Sequence, residues 1–113
     1  MHEVSVMQEA LDLALEQAAQ RKAERIHRIT LRVGKMSGVF IEALQFAFEV
    51  VTQDTPAQGA PLEVVEVPVV CFCSACGREF QPEDYFFTCP TCQQVSSEVR
   101  KGRELELASM EVS

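Results

Sequence analysis

The chain has no apolar run approaching the roughly 18 residues that a membrane-spanning helix needs. It also has no start typical of a secretory signal, because Glu3 comes early and Gln8, Glu9 and Asp12 interrupt the apolar residues that follow. Basic residues are few: 10 Lys and Arg stand against 17 Asp and Glu, a formal charge of −7. This acidity argues against a nucleic-acid backbone as the main partner. We therefore expect a cytoplasmic protein with no membrane partner and no nucleic-acid partner.

The few basic residues are unevenly distributed. Most of them lie in one short stretch, as Arg21, Lys22, Arg25, Arg28, Arg32 and Lys35. One interpretation is a solvated helix end followed by a solvated strand face. The other is a docking patch for an acidic partner.

Apolar residues recur at helical spacing in two places. Ser5 followed by Gln8 predicts a capping box at the start of the first helix, which leaves residues 1–4 as a short free arm. The stripe of this helix is Met7, Leu11, Ala14, Leu15 and Ala18. A second helical pattern follows Ser37-Gly38, with its apolar face formed by Ile41, Leu44, Ala47, Phe48 and Val51.

Three segments read as strands. Ile29, Leu31 and Val33 alternate with polar residues up to Gly34, the valine-rich stretch 62–70 contains Pro68 near its far end, and 105–112 closes the chain. The predicted fold class is α+β: a small three-stranded sheet with two helices, plus an inserted zinc-ribbon-like module with four cysteines. The expected domains are an α+β domain of residues 1–70 and 100–113 and a metal-binding module of residues 71–99. The order of the strands does not follow from the sequence.

Two CxxC motifs, separated by residues 77–88, carry four of the five cysteines: Cys73, Cys76, Cys89 and Cys92. Two such turns face to face supply four thiolates in a tetrahedron, which suits zinc, with iron as the alternative. Four thiolates leave no open position on the ion, so a structural role is predicted. Gly77 follows the first motif and allows the backbone to curl, whereas Gln93 at the matching position predicts a less favourable second turn. Cys71 is expected to be a strand-end thiol outside the metal site.

The opening MHEVS contains a second set of metal donors. The Met1 amine, the His2 amide nitrogen and the His2 imidazole can form two fused chelate rings, with Glu3 supplying a further donor. A planar set of nitrogens suits a square-planar nickel or copper ion. The alternative is a chance histidine near the start of the chain.

Together with the MHE start, the segments RVGKMSGV, LQFAFEVVTQDT and GRELEL and the cysteine motifs resemble the HypA/HybF family of hydrogenase maturation nickel metallochaperones. The resemblance spans the whole chain. It implies a protein that is not an enzyme, that transports Ni²⁺ through Met1, His2 and Glu3, and that holds a structural Zn²⁺. The implied zinc ligands are Cys73, Cys76, Cys89 and Cys92. The implied partners are a HypB-type GTPase and the hydrogenase large-subunit precursor, with urease maturation proteins as an alternative client pathway, and the protein is implied to be a monomer or homodimer.

The sequence departs from this family pattern in the turn SGVFIE. Phe40 stands where some members place an extra carboxylate, with Glu42 as a distant substitute, and no histidine follows the start of the cysteine module.

Two other classes of protein fit parts of the sequence. A rubredoxin-like redox protein would use iron at the cysteines but would leave most of the chain unexplained. A zinc-ribbon interaction module of the transcription type would favour a basic, aromatic ribbon, and the stretch 71–99 has only Arg78 as a basic residue.

Overall fold

Two helices form where the apolar spacing predicts them. In the computed structural model, which describes residues 2–84, 86–96 and 98–113, α1 spans His2–Gln20 and α2 spans Ile41–Val51. Their facing sides are buried, through Met7, Leu11, Ala14 and Ala18 on α1 and Leu44, Ala47 and Phe48 on α2. Each large apolar side chain buried in this way stabilises the fold by about 1.5–3 kcal/mol. Neither helix is long and apolar enough to cross a membrane.

The predicted start of α1 is wrong. The helix begins at His2, one turn before Ser5, so residues 2–4 are helical and are not a free arm. The Gln8 side chain donates to Asp12 Oδ1 at 2.9 Å, one turn further along, and takes no part in a capping box. Glu3 in the first turn favours this earlier start, because a carboxylate there interacts well with the positive end of the helix dipole.

The described residues contain six strands: β1 Ile26–Gly34, β2 Leu62–Val67, β3 Val70–Cys73, β4 Arg78–Phe80, β5 Glu98–Lys101 and β6 Leu105–Val112. Three of them form the predicted sheet, in the order β2-β1-β6. Backbone hydrogen bonds from Ile29 to Pro61 and from Lys35 to Val67 advance in the same direction, so β1 and β2 run parallel and α2 is their crossover.

A second sheet lies within the segment where the sequence shows no periodicity. Its order is β4-β3-β5, with antiparallel pairing of Cys71 to Phe80 and of Cys71 to Val99. The predicted strand 62–70 is therefore split: β2 ends at Val67 and β3 begins at Val70. Pro68 lies in the gap, where its missing N–H removes a ladder hydrogen bond.

The chain divides into two compact units. The first comprises the chain up to Arg32, Gly38–Val65 and Glu106–Ser113, and the second comprises Val33–Ser37 and Glu66–Leu105. The first contains both helices. The second contains all five cysteines and is wider than the segment 71–99, because the turn after β1 and the residues around Gly102 belong to it.

Two residues of the basic cluster form ion pairs across the first sheet. Arg28 lies 3.1 Å from Glu63 and Arg32 lies 2.8 Å from Glu106, and all four side chains are about half exposed. Cross-strand pairs of opposite charge stabilise a sheet modestly. For these two residues the interpretation as a solvated strand face fits the structure.

Candidate metal centre

The first cysteine turn is built at the end of β3. Cys73 is the last residue of that strand, and its carbonyl oxygen accepts a 2.8 Å hydrogen bond from the N–H of Gly77. Gly77 has φ of +68°, a left-handed conformation that glycine adopts without steric cost. The N–H of Cys76 donates to the Cys73 sulfur at 3.4 Å. The turn therefore places both thiols on its inner side.

The second cysteine turn repeats this backbone without a glycine. The N–H of Gln93 donates to the Cys89 carbonyl at 2.9 Å, and Gln93 has φ of +67°. The N–H of Cys89 is in turn bonded to the carbonyl of Gln94 at 2.8 Å. The two turns thus match in conformation. Because Gln93 has a side chain and Gly77 does not, the left-handed conformation of Gln93 costs about 1 kcal/mol.

The four sulfurs meet in one cluster. All lie within 4.8 Å of one another, with Cys73 Sγ 3.4 Å from Cys92 Sγ and Cys76 Sγ 4.0 Å from Cys89 Sγ. A zinc ion with Zn–S bonds of about 2.3 Å in a tetrahedron places its sulfurs about 3.8 Å apart. The observed spacings bracket that value, so the residues fit a tetrahedral metal. Such an ion would be held by two buried thiols and two half-buried thiols. Its role would be structural, because the four thiols fill all four coordination positions of the ion.

The thiols of the cluster are not equivalent. The backbone N–H of Cys92 has the largest effect on the pKa of Cys89 and, with the N–H of Thr91, lowers it to about 6. Contact with the Cys92 thiol, reinforced by burial, raises the pKa of Cys76 to about 12. A metal ion therefore meets one thiol that readily ionises and others whose protons it must displace, so binding releases protons.

Polar contacts that the sequence did not reveal hold the two turns together. The Arg78 guanidinium on β4 donates to Thr91 Oγ1 within the second CxxC motif, at 2.9 Å. Ser96 Oγ donates to the carbonyl of Phe72 on β3 at 2.6 Å. Neither Arg78 nor Ser96 belongs to a recognisable sequence motif. Each contact joins segments that are distant in sequence, so it shows only in the folded structure.

Cys71 lies inside β3, so its predicted place at the end of a strand is wrong. Its side chain is fully buried, and it is not among the four clustered sulfurs. Burial raises the pKa of this thiol, and the charge of Arg103 partly opposes the shift. A buried thiol of raised pKa is unreactive.

The second set of predicted ligands lies at the start of α1. Met1 and the side chain of His2 fall outside the described part of the structure. The Glu3 carboxylate, half-buried, is 3.5 Å from the backbone nitrogen of Phe40, from which it accepts a hydrogen bond. The N–H groups in the first turn of a helix have no acceptor within the helix. The His2 and Glu3 amides are therefore not committed to the hydrogen bonds of α1.

The structure also describes Phe40 and Glu42, the two residues at which the sequence departs from the family pattern. The Phe40 side chain is 75% exposed, directly before the first residue of α2, and supplies no oxygen ligand. Glu42 is exposed in the first turn of α2.

Comparison with known proteins gives a consistent result across the whole chain. The family model described as "Hydrogenase/urease nickel incorporation, metallochaperone, hypA" matches residues 1–112. A hydrogenase maturation factor HypA of Picosynechococcus is 45% identical over 112 residues, covering 99% of both chains. Another from Chloroflexus aurantiacus is 38% identical over 98% of both. The solution structure of the Ni metallochaperone HypA from Helicobacter pylori superposes with a TM-score of 0.72, at 26% identity and covering 97% of this chain and 96% of that one.

Proposed function

The chain belongs to the HypA family of nickel-incorporation metallochaperones, and we propose that it binds Ni²⁺ at Met1, His2 and Glu3 and delivers the ion to the hydrogenase large-subunit precursor. The observation that carries the proposal is the family match over residues 1–112, which includes the MHE opening. Delivery requires a site that holds nickel but releases it. A short chelate at the end of a helix meets that requirement better than four buried or half-buried thiolates do.

The proposed nickel donors are the Met1 amine, the His2 amide and imidazole, and Glu3. The first turn of α1 supports this set because its amides have no intrahelical acceptor, so a metal can replace the amide proton of His2 without breaking a hydrogen bond of the helix. Glu3 already lies against the backbone of Phe40, and this contact orients its carboxylate at the same end of the helix. Nitrogen donors in a plane favour nickel over zinc.

The four-cysteine cluster is proposed to hold a structural Zn²⁺. Sulfur–sulfur distances of 3.4 and 4.0 Å support a tetrahedral ion. Thiolate ligands favour zinc among the divalent metals of a reducing compartment. In this proposal the zinc stabilises the second unit and takes no part in nickel transfer. The partners are a HypB-type GTPase and the large-subunit precursor, in the cytoplasm, and urease is the alternative client.

The opening residues provide the direct test. One residue added ahead of Met1 converts the amine into an amide, and His2→Ala removes the imidazole. Both changes should abolish stoichiometric nickel binding at Met1, His2 and Glu3 and leave zinc content unchanged, with a change in unfolding free energy within about 0.5 kcal/mol. Cells carrying either variant should make active hydrogenase poorly at low nickel and regain activity when nickel is added.

Nickel stoichiometry, zinc stoichiometry, hydrogenase activity and urease activity are measured side by side. His27→Ala is the matched control, since His27 is exposed and its Nε2 lies 2.6 Å from Ser113 Oγ. Full nickel binding by both opening variants would overturn the proposed site. Loss of urease activity with hydrogenase intact would identify the other client.

A further inference from the structure

Helix α2 exposes large apolar side chains on the side opposite its buried face. Phe46 is 67% exposed and Val50 is 50% exposed, although the helix buries Leu44, Ala47 and Phe48 elsewhere. Phe46 and Val50 are four residues apart and so lie one above the other on the same face. Polar residues would serve equally well on a solvated helix surface, so this pair is not required by the fold.

Acidic and polar side chains surround this apolar pair. Glu42 and Glu49 fall at helical spacing on the same side and are exposed, and Gln53, in the turn directly after α2, is exposed as well. We refer to Glu42, Phe46, Glu49, Val50 and Gln53 as the α2 outer face. It combines two apolar anchors with two carboxylates.

A cavity of about 330 Å³ opens beside the carboxyl end of this face. Phe48 and Glu49 line it from α2, and Gln53, Gln58 and Gly59 line it from the loop that follows. The last turn of α2 has no basic residue, so the negative end of its dipole is uncompensated by any side chain of that turn. With Glu49 at its wall, the cavity favours a cation.

We propose that the α2 outer face is a docking surface for a partner protein that presents a basic, amphipathic segment. Apolar side chains of the partner cover Phe46 and Val50, and a lysine or arginine enters the cavity beside Glu49. Charge complementarity selects this occupant, since the face carries carboxylates and the whole chain has a formal charge of −7. A second copy of the chain is disfavoured, because two-fold pairing of this face would bring its own carboxylates together.

This inference does not depend on the nickel proposal. The peptide test requires only that the protein docks against another protein, whereas the cellular test rests on the proposed role in hydrogenase maturation.

The first test uses a synthetic amphipathic helical peptide of leucine and lysine as the probe. A peptide in which glutamate replaces every lysine is the control probe. Binding is followed by titration at two salt concentrations and by amide chemical shifts. The lysine peptide should shift the amides of Phe46, Val50 and Gln53, and the glutamate peptide should not.

Variants distinguish binding at the α2 outer face from nonspecific electrostatic attraction between the acidic protein and the basic peptide. The double change Phe46→Ser, Val50→Ser and the single change Glu49→Lys should each weaken binding of the lysine peptide about tenfold or more. Val65→Ser is the matched control, because Val65 is similarly exposed, at 45%, but lies on β2. Equal weakening by the control, or no weakening by the two test variants, would overturn the proposal.

The second test distinguishes loss of docking from loss of nickel. Cells carrying Phe46→Ser, Val50→Ser should mature hydrogenase poorly, and added nickel should not restore the activity, whereas His2→Ala should respond to nickel. The purified variant should keep its nickel content and its thermal midpoint. Glu49→Lys is the companion variant, since an exposed side chain can change without disturbing the core. Wild-type maturation by both variants would overturn the proposal even if the nickel site proves correct.

Discussion

Gly34 and Gly102 meet backbone to backbone. A Cβ atom on Gly34 would lie 2.1 Å from the carbonyl oxygen of Gly102, and that same oxygen accepts a 2.6 Å hydrogen bond from the N–H of Met36. The N–H of Gly34 is bonded to the carbonyl of Glu104 at 2.7 Å. The contact joins the segment RVGKMSGV to the segment KGRELEL, which are distant in sequence.

Replacing Gly34 with alanine should therefore destabilise the second unit strongly. The methyl group has no room against a backbone carbonyl, and overpacking of this kind costs about 3 kcal/mol. Gly38→Ala is the matched control: Gly38 has open space around it and φ of +82°, so only left-handed strain of about 1 kcal/mol is expected. Urea unfolding of the metal-loaded proteins measures both. Equal losses in the two variants would show that the close approach carries no cost of its own.

The double change Cys89→Ser, Cys92→Ser should remove the metal from the cluster and loosen the residues around it, while the helices persist. A small segment of this kind draws much of its folding energy from a bound ion. Metal content by mass spectrometry and helix content by circular dichroism are the measurements. Cys71→Ala should keep a full equivalent of metal, since Cys71 is not in the cluster. Retention of tightly bound zinc by the double variant would contradict the predicted ligand set.

Gln93→Gly should stabilise the metal-loaded protein by about 1 kcal/mol. Gln93 holds φ of +67°, which glycine adopts more easily than glutamine does. The reciprocal change Gly77→Gln should destabilise by a similar amount, because Gly77 has φ of +68° and open space, so only the backbone conformation is at stake. The rate at which a chelator removes zinc from each of the two variants, compared with wild type, measures both effects. A Gln93→Gly protein that is less stable than wild type would show that the Gln93 side chain makes a compensating contact.

The Asp84 carboxylate should order the loop ahead of the second cysteine turn. Its Oδ1 accepts hydrogen bonds from the backbone N–H groups of Thr88 and Phe86, both at 3.1 Å, and these bonds lower the pKa of Asp84, with Thr88 the largest cause. Because the folded-state pKa lies below the unfolded value of about 3.9, the contribution is present above about pH 4 and is lost as the pH falls through the folded pKa. At neutral pH, Asp84→Ala should raise amide exchange at Phe86 and Thr88, and Glu83→Ala should not. An Asp84 carboxyl that titrates at or above pH 3.9 would contradict this assignment.

Nickel binding should weaken as the pH falls. The proposed donors must lose protons before they coordinate, and the reference histidine pKa of about 6.5 places the imidazole contribution near neutrality. Competition titrations at mildly acidic and mildly alkaline pH measure the change, with His2→Ala run alongside. Equal nickel affinity at both pH values would mean that other donors dominate.

The sequence by itself determined the features that depend on local spacing. The stripe of Met7, Leu11 and Ala14 and the alternation of Ile29, Leu31 and Val33 each require only neighbouring residues, and both were predicted correctly. The four-sulfur cluster also follows from the sequence, because each CxxC motif supplies a pair of thiols and two pairs complete a tetrahedral metal site.

The tertiary structure decided what depends on contacts between distant segments. The sheet order β2-β1-β6, the splitting of the stretch 62–70 at Pro68 and the second sheet all rest on which strands pair, and strands of three or four residues are too short to show a period. The helix start at His2 was missed because the Ser5 and Gln8 pattern competes with a longer helix that carries Glu3 in its first turn. Gly34 gave no local sign of its role, since the atom that excludes a side chain there belongs to Gly102, and only folding brings the two backbones together.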